Sequence, residues 1–259
     1  MKTFRRSLTV IALTIATQLH AQQIINLTTN APAAATNAPV AAPRANPAIA
    51  PAKHEGQRTD LVMQRAKDAP GDYDIAFIGD SITEGWEKSG TNVWQKFYGS
   101  RKCIDLGVGG DRTEHVLWRF ENGQLDGLKP KAAVLMIGTN NSNNDKDGKE
   151  HYSTAEILAG VQVIVKQLRT RLPDTKLIVL GIFPRGATFS TQRGKLLQIN
   201  QALAKLDDDK MIHYIDFGSQ LIEADGAISK DVMPDRLHLS EKGYTIWAEA
   251  IEAKLKELL

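Results

Sequence analysis

Five short apolar runs, separated by stretches with helical spacing, constrain this chain more than any other feature. They fall at residues 75–78, 103–106, 132–137, 176–180 and 211–215. Little in them alternates polar with apolar, so each suits a strand buried on both faces. Between the runs the period changes. Ser153-Thr-Ala-Glu156 is a capping box, whose serine and glutamate satisfy each other's exposed amides. It opens a helix with Ile157, Val161, Ile164, Val165 and Leu168 on one stripe, ended by Pro173. Residues 193–205 and 240–258 repeat the spacing, the latter burying Tyr244, Trp247, Ile251 and Leu255, and a short helix over 60–67 precedes the first strand. Strands and helices taking turns predict an α/β domain with a parallel, doubly wound sheet and right-handed crossovers.

The first 54 residues follow other rules. Lys2, Arg5 and Arg6 precede an apolar stretch over residues 8–16, with a small-residue cleavage site near Ala21, so residues 1–21 read as a signal peptide. The stretch is too short and too rich in threonine for a membrane span, so no stable insertion is expected after cleavage. Residues 22–54 form a linker rich in Ala, Pro, Asn and Thr, with Pro32, Pro39, Pro43, Pro47 and Pro51 too closely spaced for helix or strand. That leaves one domain over residues 55–259.

Charge and cysteine content narrow the function. Cleavage would remove three of the 32 basic residues and none of the 30 acidic ones, giving a net charge of −1. A near-neutral domain has no electrostatic footprint for nucleic acid. Cys103 is the only cysteine, so neither an internal disulfide nor a thiolate metal site exists. His20 and His54 fall outside the expected domain and the other histidines are scattered, so no metal and no cofactor is expected.

The polar chemistry collects just after strands. The first run ends in Gly79-Asp80-Ser81, the second leads to Gly109-Gly110, and the third to Gly138-Thr139-Asn140. In a parallel sheet these strand ends share one rim, where ligands bind. Asp235 and His238 lie three apart near the C-terminus. A serine hydroxyl needs a base and oxyanion donors before it reacts at neutral pH. Any one of these pieces alone is ordinary turn or cap chemistry. Together and in this order they are not.

Gly79-Asp-Ser81-Ile82, Gly109-Gly110, Gly138-Thr-Asn140 and Asp235-Arg-Leu-His238 resemble the four sequence blocks of the SGNH (GDSL-type) hydrolase superfamily. The longer runs Leu106-Gly-Val-Gly-Gly-Asp-Arg-Thr-Glu-His-Val-Leu-Trp-Arg119 and Val179-Leu-Gly-Ile-Phe-Pro-Arg185 are similar to its acetylhydrolase branch: the catalytic subunits of brain-type platelet-activating-factor acetylhydrolase and related bacterial secreted acetylesterases. The resemblance spans the domain from about residue 72 and none of the leader or linker. It implies a flavodoxin-like three-layer sandwich around a five-stranded parallel sheet. It also implies Ser81 as nucleophile at a helix start, His238 as general base, Asp235 as its orienting carboxylate, and an oxyanion hole from Ser81, Gly110 and Asn140. Ile82 and Leu237 flank the nucleophile and the base, and by the same resemblance they narrow the acyl pocket.

These implications lead to a serine esterase for short-chain, acetyl esters, with a carbohydrate ester preferred and a lipid ester as the alternative. An exported chain of this kind belongs in a bacterial periplasm or medium. A non-enzymatic flavodoxin-like binding module would share the sheet, but the intact Ser81, Asp235 and His238 argue against it. A lipase of the α/β-hydrolase type would need Gly-x-Ser-x-Gly, which is absent. Oligomeric state is not legible.

Overall fold

The chain alternates helix and strand from residue 57 to residue 258. The computed structural model describes residues 44–259. In order the elements are α1 (Gln57–Asp68), β1 (Gly71–Gly79), α2 (Ser81–Glu84), α3 (Thr91–Tyr98), β2 (Cys103–Gly107), α4 (Thr113–Glu121), β3 (Leu128–Met136), α5 (Thr154–Arg171), β4 (Lys176–Leu180), α6 (Thr191–Leu203), β5 (Ile212–Ile215) and α7 (Glu241–Leu258). The strands form one sheet in the order β2-β1-β3-β4-β5, and every pairing is parallel. Chain order reverses between β1 and β3, and that switch puts the ends of β1, β2 and β3 side by side at one rim.

Alternation along β1 divides the core in two. Ala76 and Ile78 face a layer built from α1, α4, α5 and α6, whereas Ile75 and Phe77 face α3 and α7. The second layer is aromatic: Phe77, Trp86, Trp94, Tyr98 and Trp247 lie with neighbouring ring centroids 5.0–6.5 Å apart. Tyr244, Trp247, Ile251 and Leu255 are all buried there, as the spacing of α7 requires.

Two strands outrun their apolar cores. β1 begins at Gly71 and β3 at Leu128, where Asp72 pairs with Lys129 beyond the apolar residues. Pro130 is tolerated in β3 because the β4 ladder starts only at Ala132, so no amide is needed there. Thr175 Oγ1 donates to its carbonyl instead, at 2.7 Å.

The domain begins earlier than composition suggests. Residues 44–54, which fall in the expected linker, pack against the α4–α5 surface as a strap, and the compact unit runs Arg44–Leu259. Arg44 pairs with Glu156 at 2.7 Å and Ala48 is fully buried. Thr113 Oγ1 donates to the Ala48 carbonyl at 2.8 Å, and the Ala52 amide donates to the Glu114 carbonyl at 3.2 Å. Gly160 permits this approach, since a Cβ there would lie 2.9 Å from the Ala48 carbonyl. Proline-rich composition excludes helix and sheet, but it does not exclude docking. The expected leader and residues 22–43 lie outside the described residues. Among the described residues no helix is long and apolar enough to cross a membrane.

Candidate active site

Ser81 stands where β1 turns sharply into α2. The turn needs glycine: a Cβ on Gly79 would lie 2.3 Å from the Met136 carbonyl oxygen and 2.2 Å from Thr83 Oγ1. Asp80 caps α2, its Oδ1 accepting the Ile82 amide at 2.9 Å. From the opposite side Tyr244 in α7 donates its hydroxyl to the Ile82 carbonyl at 2.7 Å. With only four residues, α2 has little macrodipole, so any anion stabilisation at Ser81 comes from individual amides. Asp80 is fully buried and its Oδ2 has no partner among the described residues. Desolvation pushes its carboxyl up to about 7, and the nearby Asp111 adds to the shift.

The imidazole arrives from the loop before α7. His238 Nε2 accepts from Ser81 Oγ at 2.9 Å, and His238 Nδ1 donates to Asp235 Oδ2 at 2.6 Å. Asp235 Oδ1 also accepts the amides of Leu237 at 3.0 Å and His238 at 2.7 Å. Partial burial pushes the Asp235 carboxyl up, but the imidazole and the two amides outweigh it and hold the group below its ordinary value. Arg236 between them takes φ 66°, which folds the loop so that residues 235 and 238 face each other. Its amide donates to the Met233 carbonyl, its guanidinium to the Ile228 carbonyl, and its own carbonyl accepts the Gly186 amide. The pair is open to solvent, with the His238 and Asp235 side chains 46% and 55% exposed.

Two further loops complete the rim. A Cβ on Gly109 would lie 3.8 Å from Ser81 Cβ, which places the β2–α4 loop directly against the serine. Gly110 takes φ 81° and is exposed. Among the described residues the amides of Ser81 and Gly110 have no hydrogen-bond partner. Asn140 Nδ2 donates to the Asp111 carbonyl at 2.9 Å, which ties the third loop to the second and leaves one amide hydrogen uncommitted. Arg185 braces that loop by donating to the Thr139 carbonyl at 3.0 Å. Burial lowers the Arg185 pKa, opposed by the charges of Asp80 and Asp235. Ser81, His238 and Asp235 therefore make one hydrogen-bonded chain, with Gly110 and Asn140 on the loops beside it.

The flanking apolar residues behave differently from each other. Ile82 was expected to line the acyl pocket, but it is 1% exposed and packs into the aromatic layer beneath α2. The Asp80 cap and the Tyr244 anchor turn its side chain away from the rim. Leu237 stays partly exposed beside His238. An apolar groove of about 500 Å³ lined by Ile182, Phe189, Leu197 and Ile222 contains none of the expected site residues.

Other groups near the rim were not legible. Glu84 Oε2 accepts the Gly109 amide at 2.6 Å. Asp111 is buried and paired with the fully buried Arg119 at 2.9 Å. His54, expected outside the domain, is delivered by the strap to Asp111 and stacks on His115, ring centroids 4.7 Å apart. A histidine cluster therefore exists where none was expected. The atoms that converge are committed, because His54 Nδ1 is bonded to Asp111 Oδ1, His115 Nδ1 accepts the Arg112 amide at 3.0 Å and Asp111 Oδ2 serves Arg119; the trio as arranged does not fit a metal, although His54 Nε2 on the far side of its ring stays free among the described residues. Asp207, Asp209 and His213 form a second such grouping, at the start of β5.

Residues 77–246 match the model of the GDSL-like lipase/acylhydrolase family. The platelet-activating factor acetylhydrolase IB subunit alpha1 of Homo sapiens is 36% identical over 188 residues, covering 72% of this chain and 77% of its own length. The alpha2 subunit of Rattus norvegicus is 35% identical over the same shares. Among solved structures, a GDSL-like lipase from Bacteroides thetaiotaomicron superposes with TM-score 0.63 at 18% identity, covering 78% of this chain and 98% of the other. An acetylxylan esterase from Geobacillus stearothermophilus superposes with TM-score 0.56 at 20% identity, covering 71% and 95%. These two likenesses establish the fold, and the subunits at 35–36% identity together with the family match establish the descent. The chain belongs to the GDSL-like lipase/acylhydrolase family of the SGNH superfamily and is a carboxylic ester hydrolase.

Proposed function

We propose that the chain is an exported serine esterase that removes acetyl groups from carbohydrate esters through an acyl-enzyme. The observation that carries the mechanism is the chain of two hydrogen bonds, 2.9 Å from Ser81 Oγ to His238 Nε2 and 2.6 Å from His238 Nδ1 to Asp235. Ser81 Oγ attacks the ester carbonyl carbon while His238 Nε2 takes its proton. Asp235 stabilises the imidazolium and fixes its tautomer. The amides of Ser81 and Gly110 and the free hydrogen of Asn140 Nδ2 receive the oxyanion. Collapse of the tetrahedral intermediate breaks the bond to the alcohol, which leaves with the proton from His238. Water, deprotonated by the same imidazole, then attacks the acyl-serine, and acetate and free Ser81 result.

The acetyl preference rests on similarity to subunits named acetylhydrolases and on Leu237 at the rim. The carbohydrate preference rests on the expected export and on a solvent-open His238–Asp235 pair that leaves room for a bulky, polar alcohol. A phospholipid acetyl ester is the second reading, favoured by the names of those relatives. The test is a panel of p-nitrophenyl acetate, butyrate and octanoate, acetylated xylo-oligosaccharides, and an acetylated ether phospholipid, with Ser81→Ala as control. Acetate release from the oligosaccharides at the highest kcat/KM supports the reading. Comparable rates on octanoate, or a Ser81→Ala variant that keeps more than about 10⁻³ of turnover, reject it.

A further inference from the structure

The strap ends in a side chain that neither the family match nor the proposed mechanism uses. His54 lies outside residues 77–246, which match the family model. Contacts along the strap hold it in place. Arg44 holds the start of the strap on Glu156, Ala48 is buried under the Thr113 hydroxyl, and the Ala52 amide is bonded to Glu114. Two residues later His54 Nδ1 meets Asp111 Oδ1 at 2.8 Å, and its ring lies on His115 at an interplanar angle of 27°.

Chemistry then sets the tautomer. Asp111 presents Oδ2 to Arg119, at 2.9 Å from Nη2 and 3.0 Å from Nε, so this paired carboxylate accepts at Oδ1 and His54 Nδ1 donates. The neutral ring keeps its lone pair on Nε2. That nitrogen has no partner among the described residues, and the side chain is 33% exposed. The free edge faces the rim: a Cβ on Gly110 would lie 3.1 Å from His54 Cε1 and 3.7 Å from Nε2. Gly109, the next residue back, is the one against Ser81. An acceptor nitrogen thus stands one residue from the serine's own neighbour, on a ring fixed by a hydrogen bond and a stack.

Building on the esterase reading, we infer that His54 is a substrate-binding residue whose Nε2 accepts a hydrogen bond from a free hydroxyl on the alcohol part of the ester. The strap makes the enzyme selective for esters of polyhydroxylated alcohols. A site built to bond a hydroxyl discriminates strongly against an analogue lacking it, because the acceptor is then left desolvated and unpaired.

The test compares kcat/KM for methyl 3-O-acetyl-xylopyranoside, its 2-deoxy and 4-deoxy analogues, and p-nitrophenyl acetate, in the full chain and in His54→Phe and His54→Gln. Phenylalanine keeps a ring to stack on His115 and removes the acceptor, whereas glutamine restores an acceptor oxygen. The wild type is expected to prefer the fully hydroxylated ester over one deoxy analogue by roughly tenfold to a hundredfold. His54→Phe is expected to collapse that ratio towards one, and His54→Gln to recover part of it, with thermal unfolding reporting whether the strap stays folded. Wild-type rates that do not distinguish the three sugar esters overturn the inference while leaving the esterase intact. The same holds if the ratio survives in His54→Phe. Loss of the esterase reading has a separate signature, the absence of Ser81-dependent hydrolysis of p-nitrophenyl acetate.

Discussion

Glu84 Oε2 accepts the amide of Gly109 at 2.6 Å, and this one bond decides which of two consecutive glycines keeps a free amide among the described residues. With the Gly109 amide engaged, the Gly110 amide is the free donor of the pair. Glu84 is itself fixed by its place on α2 and by Lys88 at 2.6 Å. The turn that carries Ser81 and the loop that carries Gly110 are therefore held in register by a side chain three residues after the serine. Glu84→Ala is expected to lower kcat by up to about 10² with little change in KM, since one transition-state donor loses its alignment. Steady-state kinetics on p-nitrophenyl acetate check this, and Glu84→Gln, which keeps an acceptor oxygen, should recover most of the loss.

Asn140 places one amide hydrogen on the Asp111 carbonyl, and in the proposed mechanism the other receives the oxyanion. Asn140→Ala should lower kcat by about 10²–10³, with KM nearly constant, because the lost bond forms with the transition state. A drop confined to KM would assign the residue to ground-state binding.

Gly107 ends β2 against the backbone of α2. A Cβ there would lie 2.2 Å from the Glu84 amide nitrogen and 2.7 Å from the Thr83 carbonyl carbon, and backbone atoms cannot step aside as a side chain can. Gly107→Ala is expected to cost about 2–4 kcal/mol of stability. Urea denaturation measures it, and a loss under about 0.5 kcal/mol contradicts the packing described.

Asp80 sets a pH dependence that can be isolated by substitution. Its carboxyl is pushed up to about 7 by desolvation, above the value of an unfolded aspartate. The folded state therefore binds more protons between about pH 4 and pH 7, and stability falls as pH rises through that window. Asp105, pushed up to about 7 by its own burial, acts in the same direction. Asp80→Asn keeps an oxygen for the Ile82 amide and removes the titration. Its stability relative to wild type should rise between pH 4 and pH 7, by on the order of 2–4 kcal/mol, and level off above. Thermal denaturation across pH 4–8 follows the difference, and a pH-independent offset would show that Asp80 does not titrate there.

Much of this architecture is legible in the chain because it depends on local, repeating signals. Strands buried on both faces must be apolar runs, so all five appear, and β4 (Lys176–Leu180) matches its run to the residue. The ends of β1 and β3 do not, because Asp72 and Lys129 join the ladder through backbone bonds that leave no apolar mark. Ser81, His238 and Asp235 stand out as candidates by residue type, the resemblance implies their roles, and the structure joins them in one hydrogen-bonded chain. Their convergence depends on Arg236 adopting φ 66°, which nothing in an arginine announces.

Sequence by itself determined the periodicities, and through them the parallel sheet, and it set which polar residues follow the strand ends. Tertiary structure alone decided what touches them. Ile82 turned inward because an aspartate cap and a tyrosine 162 residues away both grip its backbone. His54 came to the rim because a proline-rich strap found a surface where Gly160 and Thr113 admit Ala48. Composition registers what a segment cannot form, whereas docking depends on the shape and free hydrogen-bonding groups of a distant surface, and these exist only once the sheet and helices have packed.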